Sequence, residues 1–152
     1  MKNKRYYIAY GSNLSVEQMK RRCPDAKVIG KTIMHGWRLV FRIHATIEPD
    51  EGASVPIAIW EISERDEQNL DRYEGFPRYY IKKDVTMTIS PKRGGTPRQI
   101  TAMVYIMTKG RAITPPSKEY FDVIWSGYKH FKFDTTPLIT ALYDSLDAQA
   151  VY

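Results

Sequence analysis

The chain has 152 residues, 43% of them hydrophobic and 26% charged, with one cysteine and a formal net charge of +6. That length suits a single domain over residues 1–152 with a sizeable core. A mean hydropathy of −0.46 and no apolar run near the roughly 20 residues of a membrane span argue against a helical membrane protein.

Cys23 stands alone, which excludes an internal disulfide framework and fits a reducing compartment. No signal-type apolar stretch follows the basic residues 1–5, so a cytoplasmic location is expected. The basic charge (pI near 9.4) is dispersed in pairs such as Arg21-Arg22, Lys82-Lys83 and Lys92-Arg93. Dispersed charge reads as a solvated surface that draws a small anion, with neither nucleic acid nor membrane as partner.

Tyr6 to Tyr10 has strand composition, and Gly11-Ser12-Asn13 breaks it with residues suited to a tight turn. Ser15-Val16-Glu17-Gln18 reads as a capping box with Leu14 and Met19 as a hydrophobic staple, so a helix starts at Val16. Pro24 stops it. Lys27 to Lys31 reads as a short extended piece. Trp37, Leu39, Phe41 and Ile43 then alternate with Arg38, Val40 and Arg42 as a half-buried strand. Thr46 to Ser54 contains Pro, Asp, Glu and Gly and reads as a loop. Val55 to Ile62 is apolar on both parities, the mark of a central strand.

Ser63 caps a polar helix ending at Glu74 and Gly75, with Leu70 and Tyr73 facing inward. After Phe76-Pro77 comes a strand whose Ile81, Lys83, Val85, Met87 and Ile89 share one parity. Pro91 to Pro97 is a turn region, and Ile100 to Met107 returns as the antiparallel partner. Ser117 caps a helix with Tyr120, Ile124, Gly127 or Tyr128, and Phe131 at helical spacing. Thr136-Pro137 starts a last helix striped by Leu138, Leu142 and Leu146. This is no regular βαβ alternation. The expected fold is α+β: a mixed, mainly antiparallel sheet, curled or closed, with helices outside.

Two features can carry reactivity. The Gly11-Ser12-Asn13 turn, set between a strand and a helix start, offers backbone N–H groups to a carboxylate, a phosphate or an oxyanion; the same turn is also common connecting chemistry. It lacks the Lys of a Walker loop and the further glycines of a dinucleotide fingerprint. Glu74 lies in a last helical turn, where the dipole and partial burial both oppose ionisation. Such a carboxyl suits proton transfer near neutral pH, although the position equally fits a surface glutamate. His35, His44 and His130 have no metal-ligand spacing to one another or to Cys23, and no metal is expected. Ser12 is not in a G-x-S-x-G elbow, which disfavours a serine hydrolase.

Tyr10-Gly11-Ser12-Asn13-Leu14, followed by Leu70-Asp71-Arg72-Tyr73-Glu74-Gly75, resembles the γ-glutamylcyclotransferase-like family. The likeness continues through Tyr80-Ile81-Lys82-Lys83-Asp84-Val85 and Pro115-Pro116-Ser117-Lys118-Glu119-Tyr120 with Gly127, in family order. The resemblance implies a small β-barrel with peripheral helices. It implies cyclisation of a γ-glutamyl compound to 5-oxoproline and a free amine, without cofactor. By carry-over Glu74 is the general acid/base, Tyr10, Gly11, Ser12, Asn13 and Leu14 bind the glutamyl group, and Tyr120 touches substrate. Tyr80 lines the pocket, or Tyr79 fills its place. Glutathione-degrading relatives typically carry Leu where this chain has Asn13, which points to the γ-glutamyl-amine or amino-acid branch. A binding module that keeps the anion pocket without turnover is the alternative.

Overall fold

The computed structural model describes residues 4–90 and 95–150. Its central strand is β1 (Lys4–Ala9), the apolar run that opens the chain. β1 pairs antiparallel with β3 (His44–Ser63) from Lys4↔Ser63 to Ala9↔Ala58, and parallel with β5 (Arg98–Met107). With β2 (Lys27–Arg42) and β4 (Tyr80–Ile89) the order is β2-β3-β1-β5-β4. The sheet is mixed and mainly antiparallel, as expected. It is not a closed barrel: among the described residues the edge strands β2 and β4 are not hydrogen-bonded to each other. Four helices complete the fold: α1 (Val16–Arg22), α2 (Glu64–Glu74), α3 (Lys118–Phe131) and α4 (Thr136–Gln149). None of the described helices is long and apolar enough to cross a membrane.

Val55 to Trp60 are buried without a break, which the central place of β3 explains. The segment Thr46 to Ser54 is strand, not loop. Its acidic residues are cross-strand partners: Glu48 pairs with Arg42 at 2.6 Å and with Arg38 at 3.5 Å. Only Asp50 to Ala53 leave the ladder, opposite Gly36, whose φ is +84°. Lys27 to Lys31 is no separate piece but the start of the 16-residue β2. Ile43 is not a strand residue either. It is 52% exposed at φ +70°, alone in the turn between Arg42 and His44.

Three helical or edge expectations also shift. Tyr73 is 45% exposed: the buried residues of α2 are Asp66 and Leu70, and the Tyr73 ring is met instead by the Arg22 guanidinium. The inner face of α4 is Leu138, Ala141 and Ser145, which leaves Leu146 in solvent. Its first turn is capped by Asp134, whose Oδ1 accepts from the Thr136 N–H at 3.0 Å. On β4, Val85, Met87 and Ile89 pack toward the core as expected, whereas Ile81 is exposed and Tyr80, of the other parity, is buried. Of the turn expected at 91–97, residues 91–94, with Lys92-Arg93, lie outside the described residues.

The remaining frame supports the site. Ser63 and Asp66 close a capping box on α2, and Gly75 ends that helix at φ +66°. α3 seats on the loop after β1 at Gly127. A Cβ there would stand 2.4 Å from Leu14 Cβ, so only glycine permits that approach.

Candidate active site

The loop after β1 is a single 3-10 turn over Ser12–Leu14. Leu14 N–H closes onto Gly11 O at 3.0 Å, and Ser15 N–H onto Ser12 O at 3.1 Å. The amides of Ser12 and Asn13 have no acceptor among the described residues. Ser15 caps α1, its Oγ accepting from the Gln18 N–H at 3.2 Å. The Gln18 side chain does not reach back to the cap; it donates to Ser12 O at 3.0 Å. Asn13 is turned inward, donating through Nδ2 to the Tyr7 hydroxyl at 2.9 Å and accepting from Arg22 Nη1 at 2.7 Å. The turn is therefore fixed from three sides, with two amides left free.

Next to it opens a cavity of about 280 Å³, lined by Ser12, His44, Glu74, Tyr79, Tyr80 and Tyr120 among others. A smaller recess shares Ser12, Glu74, Tyr80 and Tyr120 and adds Tyr10, Gly11 and Asn13. Sixty residues of chain thus separate groups that meet in space. Leu14 lies beneath, fully buried.

The tyrosine hydroxyls are mostly engaged by the protein. Tyr80 donates to Ala45 O at 2.6 Å, while Tyr120 accepts from the Ala45 N–H at 3.0 Å. Tyr10 donates to Tyr105 O at 2.7 Å. Tyr79 and Tyr80 both line the cavity: Tyr80 is the buried wall, and half-buried Tyr79 meets His44 Nδ1 at 2.9 Å. His44, Arg22, Tyr7 and Tyr105 are neighbours that local patterning missed. His44 reaches the cavity through the one-residue turn at Ile43, and Arg22 looks in sequence like half of a surface pair.

Glu74 differs from the residues around it. Its carboxylate finds no hydrogen-bond partner among the described residues, and burial pushes its pKa up to about 7 against the opposing pull of Arg22. A carboxyl titrating there is present in both forms at neutral pH and can take and return a proton. Among the described residues no group of three or more His, Cys, Asp or Glu is placed to hold a metal ion.

The raised value also fixes the sign of a stability effect. Between the ordinary 4.5 and about 7 the folded chain binds a proton that the unfolded chain has lost. Stability therefore falls as pH rises through that window and is flat above it. Glutamine has no such loss. Glu74→Gln is expected to unfold at higher denaturant than the parent at about pH 8, by up to ~3 kcal/mol, and to match it at about pH 4. Urea melts at both pH values measure it; equal midpoints at pH 8 would contradict the burial.

An open mixed sheet thus holds a small cavity in which the raised Glu74 carboxyl and the Ser12–Asn13 turn share a wall. Residues 7–123 match the sequence profile of the family described as gamma-glutamyl cyclotransferase, AIG2-like. The chain is 31% identical over 136 residues to a gamma-glutamylcyclotransferase of Bos taurus, covering 81% of this chain and 69% of that protein. The Mus musculus gamma-glutamylcyclotransferase is 32% identical over 138 residues with the same coverage. A solved gamma-glutamyl cyclotransferase superposes with a TM-score of 0.72 at 25% identity, over 99% of this chain and 89% of that one. The chain belongs to the gamma-glutamyl cyclotransferase, AIG2-like family.

Proposed function

We propose that this γ-glutamylcyclotransferase-type enzyme converts a γ-glutamyl amine or γ-glutamyl amino acid to 5-oxoproline and the free amine, with Glu74 as general acid/base. The observation that carries the reading is the unpartnered Glu74 carboxyl, titrating at about 7 beside the free amides of Ser12 and Asn13.

The steps follow from those groups. Ionised Glu74 takes a proton from the substrate α-ammonium. The freed amine nitrogen attacks the γ-carbonyl carbon of the same molecule, forming the ring C–N bond and placing the electron pair on oxygen. Protonated Glu74 then delivers that proton to the leaving nitrogen, and the old C–N bond breaks as the oxyanion returns to a carbonyl. The ring nitrogen, still carrying two hydrogens, gives up its second proton through Glu74 to the departing amine, which leaves as an ammonium ion. No proton is gained or lost overall. Because nucleophile and electrophile share one molecule, holding the cyclising conformer supplies a large part of the rate, several kcal/mol. Donors aimed at the oxyanion add roughly 3–4 kcal/mol.

Tyr10, Gly11, Ser12 and Asn13 are assigned to the glutamyl group, chiefly through the free amides, with Leu14 supporting the turn from below. Tyr80 and Tyr120 wall the cavity, and Tyr79 with His44 faces the outgoing amine. The basic surface attracts an anionic small substrate on this reading, with no nucleic acid as partner, and the free Cys23 thiol suits a cytoplasmic setting.

A panel of γ-glutamyl amines and dipeptides, scored for 5-oxoproline, tests the assignment. The α-N-acetylated form of the best substrate is expected to give no product, because its nucleophile is gone. Release of the amine from that blocked compound would mean hydrolysis and overturn cyclisation.

A further inference from the structure

Arg22 ends α1, and its side chain meets both halves of the site. Its Nη1 donates to Asn13 Oδ1 at 2.7 Å and reaches Ser12 Oγ at 3.5 Å. Its guanidinium lies 3.1 Å above the ring of Tyr73, the residue before Glu74. Its carbonyl oxygen accepts from Asn69 Nδ2 at 2.9 Å, which ties α1 to α2 a second time. No carboxylate forms a salt bridge with it among the described residues. The fork is spent on a side-chain oxygen of the turn and the stacked plane on an aromatic face of α2, so one side chain joins the two elements.

We propose that Arg22 is a positioning residue of this site: it locks the Gly11–Leu14 turn to the end of α2 and presents its positive charge toward the Glu74 carboxyl. The proposal builds on the cyclotransferase reading above.

Two further arginines border the cavity, Arg72 in its lining and Arg111 4.1 Å over the Tyr79 ring, but Arg22 is the one whose charge acts on Glu74. Tyr7 and Tyr10 of β1, Tyr80 of β4, Tyr105 of β5 and Tyr120 of α3 are all pushed upward, chiefly by burial, and are neutral at pH 7. Tyr79 is raised likewise, and burial lowers His44, which is neutral there too. On the same helix, exposed Arg72 turns to Asn69 Oδ1, and Asp71 is paired with Lys82 at 2.8 Å. Arg22 is the cation whose field holds Glu74 down against burial. Without it the carboxyl stays protonated to higher pH and is a poorer base at neutrality.

Two variants separate charge from geometry. Arg22→Met removes both, whereas Arg22→Lys keeps the charge and loses the fork and the stacked plane. The first readout is the titration of the Glu74 side-chain carboxyl carbon by NMR, assigned by its absence in Glu74→Gln, and needs no turnover. Arg22→Met is expected to raise that titration by about one pH unit and to move the acidic limb of kcat/KM with it. Arg22→Lys is expected to return the titration toward the parent while KM stays several-fold raised. An unmoved titration in Arg22→Met, or equal behaviour of the two variants, would overturn the proposal. Should Arg22→Met not fold, Arg22→Lys still decides: a parent-like KM would exclude the locking role. A parent protein that titrates as described but makes no 5-oxoproline would instead remove the functional reading and leave the role of Arg22 intact.

Discussion

Glu74→Gln is expected to lower kcat by roughly 10²–10⁴-fold, the usual loss when a general acid/base is removed. The amide keeps the size of the side chain and cannot take the ammonium proton. Binding of 5-oxoproline, measured by calorimetry, should survive, because the glutamyl contacts are assigned to the turn at Gly11 to Asn13. Loss of activity through unfolding is distinguishable, since the variant is expected to be the more stable protein above neutral pH. A solvated glutamate at a helix end predicts almost no kinetic change. Near-parental turnover by a folded Glu74→Gln protein would remove the catalytic assignment.

The second large effect lies outside the cavity. Gly127→Ala places a methyl 2.4 Å from Leu14 Cβ, 2.7 Å from its carbonyl carbon and 2.9 Å from its oxygen. Two of those three atoms are backbone, so no rotamer change relieves the clash. α3 must move away from the 3-10 turn, at a cost of about 3 kcal/mol or more. For a chain of this size that lowers the melting temperature by roughly 6–12 °C. The same shift displaces the free amides of Ser12 and Asn13, and a displacement near 1 Å costs about 100-fold in a rate that depends on orientation. Thermal melts and kcat/KM on one preparation check both. A variant that melts with the parent would mean that α3 does not seat on Leu14.

What could be read in the sequence was what neighbours in the chain decide. The Ser15, Ser63 and Ser117 caps, the Gly75 stop and the double-sided burial of Val55 to Trp60 follow from residues a few positions apart. Thr46 to Ser54 misled because its acidic side chains satisfy arginines on β2, a pairing that no local window contains. Tyr73 and Leu146 misled for a related reason: helical spacing gives a stripe but not which edge of it meets the core. At the site, Glu74 stood out because its position at a helix end already opposes ionisation. Arg22 and His44 did not, since each arrives through a turn or a helix end whose direction is set by the fold.

The contacts assigned to the 3-10 turn at Ser12–Leu14 are peptide N–H groups, which every residue type except proline supplies. A recognition surface made of main chain keeps its chemistry while side chains drift, so the glutamyl end of the pocket is buffered against mutation. The end assigned to the outgoing amine, walled by Tyr79 and His44, has no such protection. Selection can retune that end residue by residue, and descendants of this chain would diverge in what they release long before they diverge in what they cyclise.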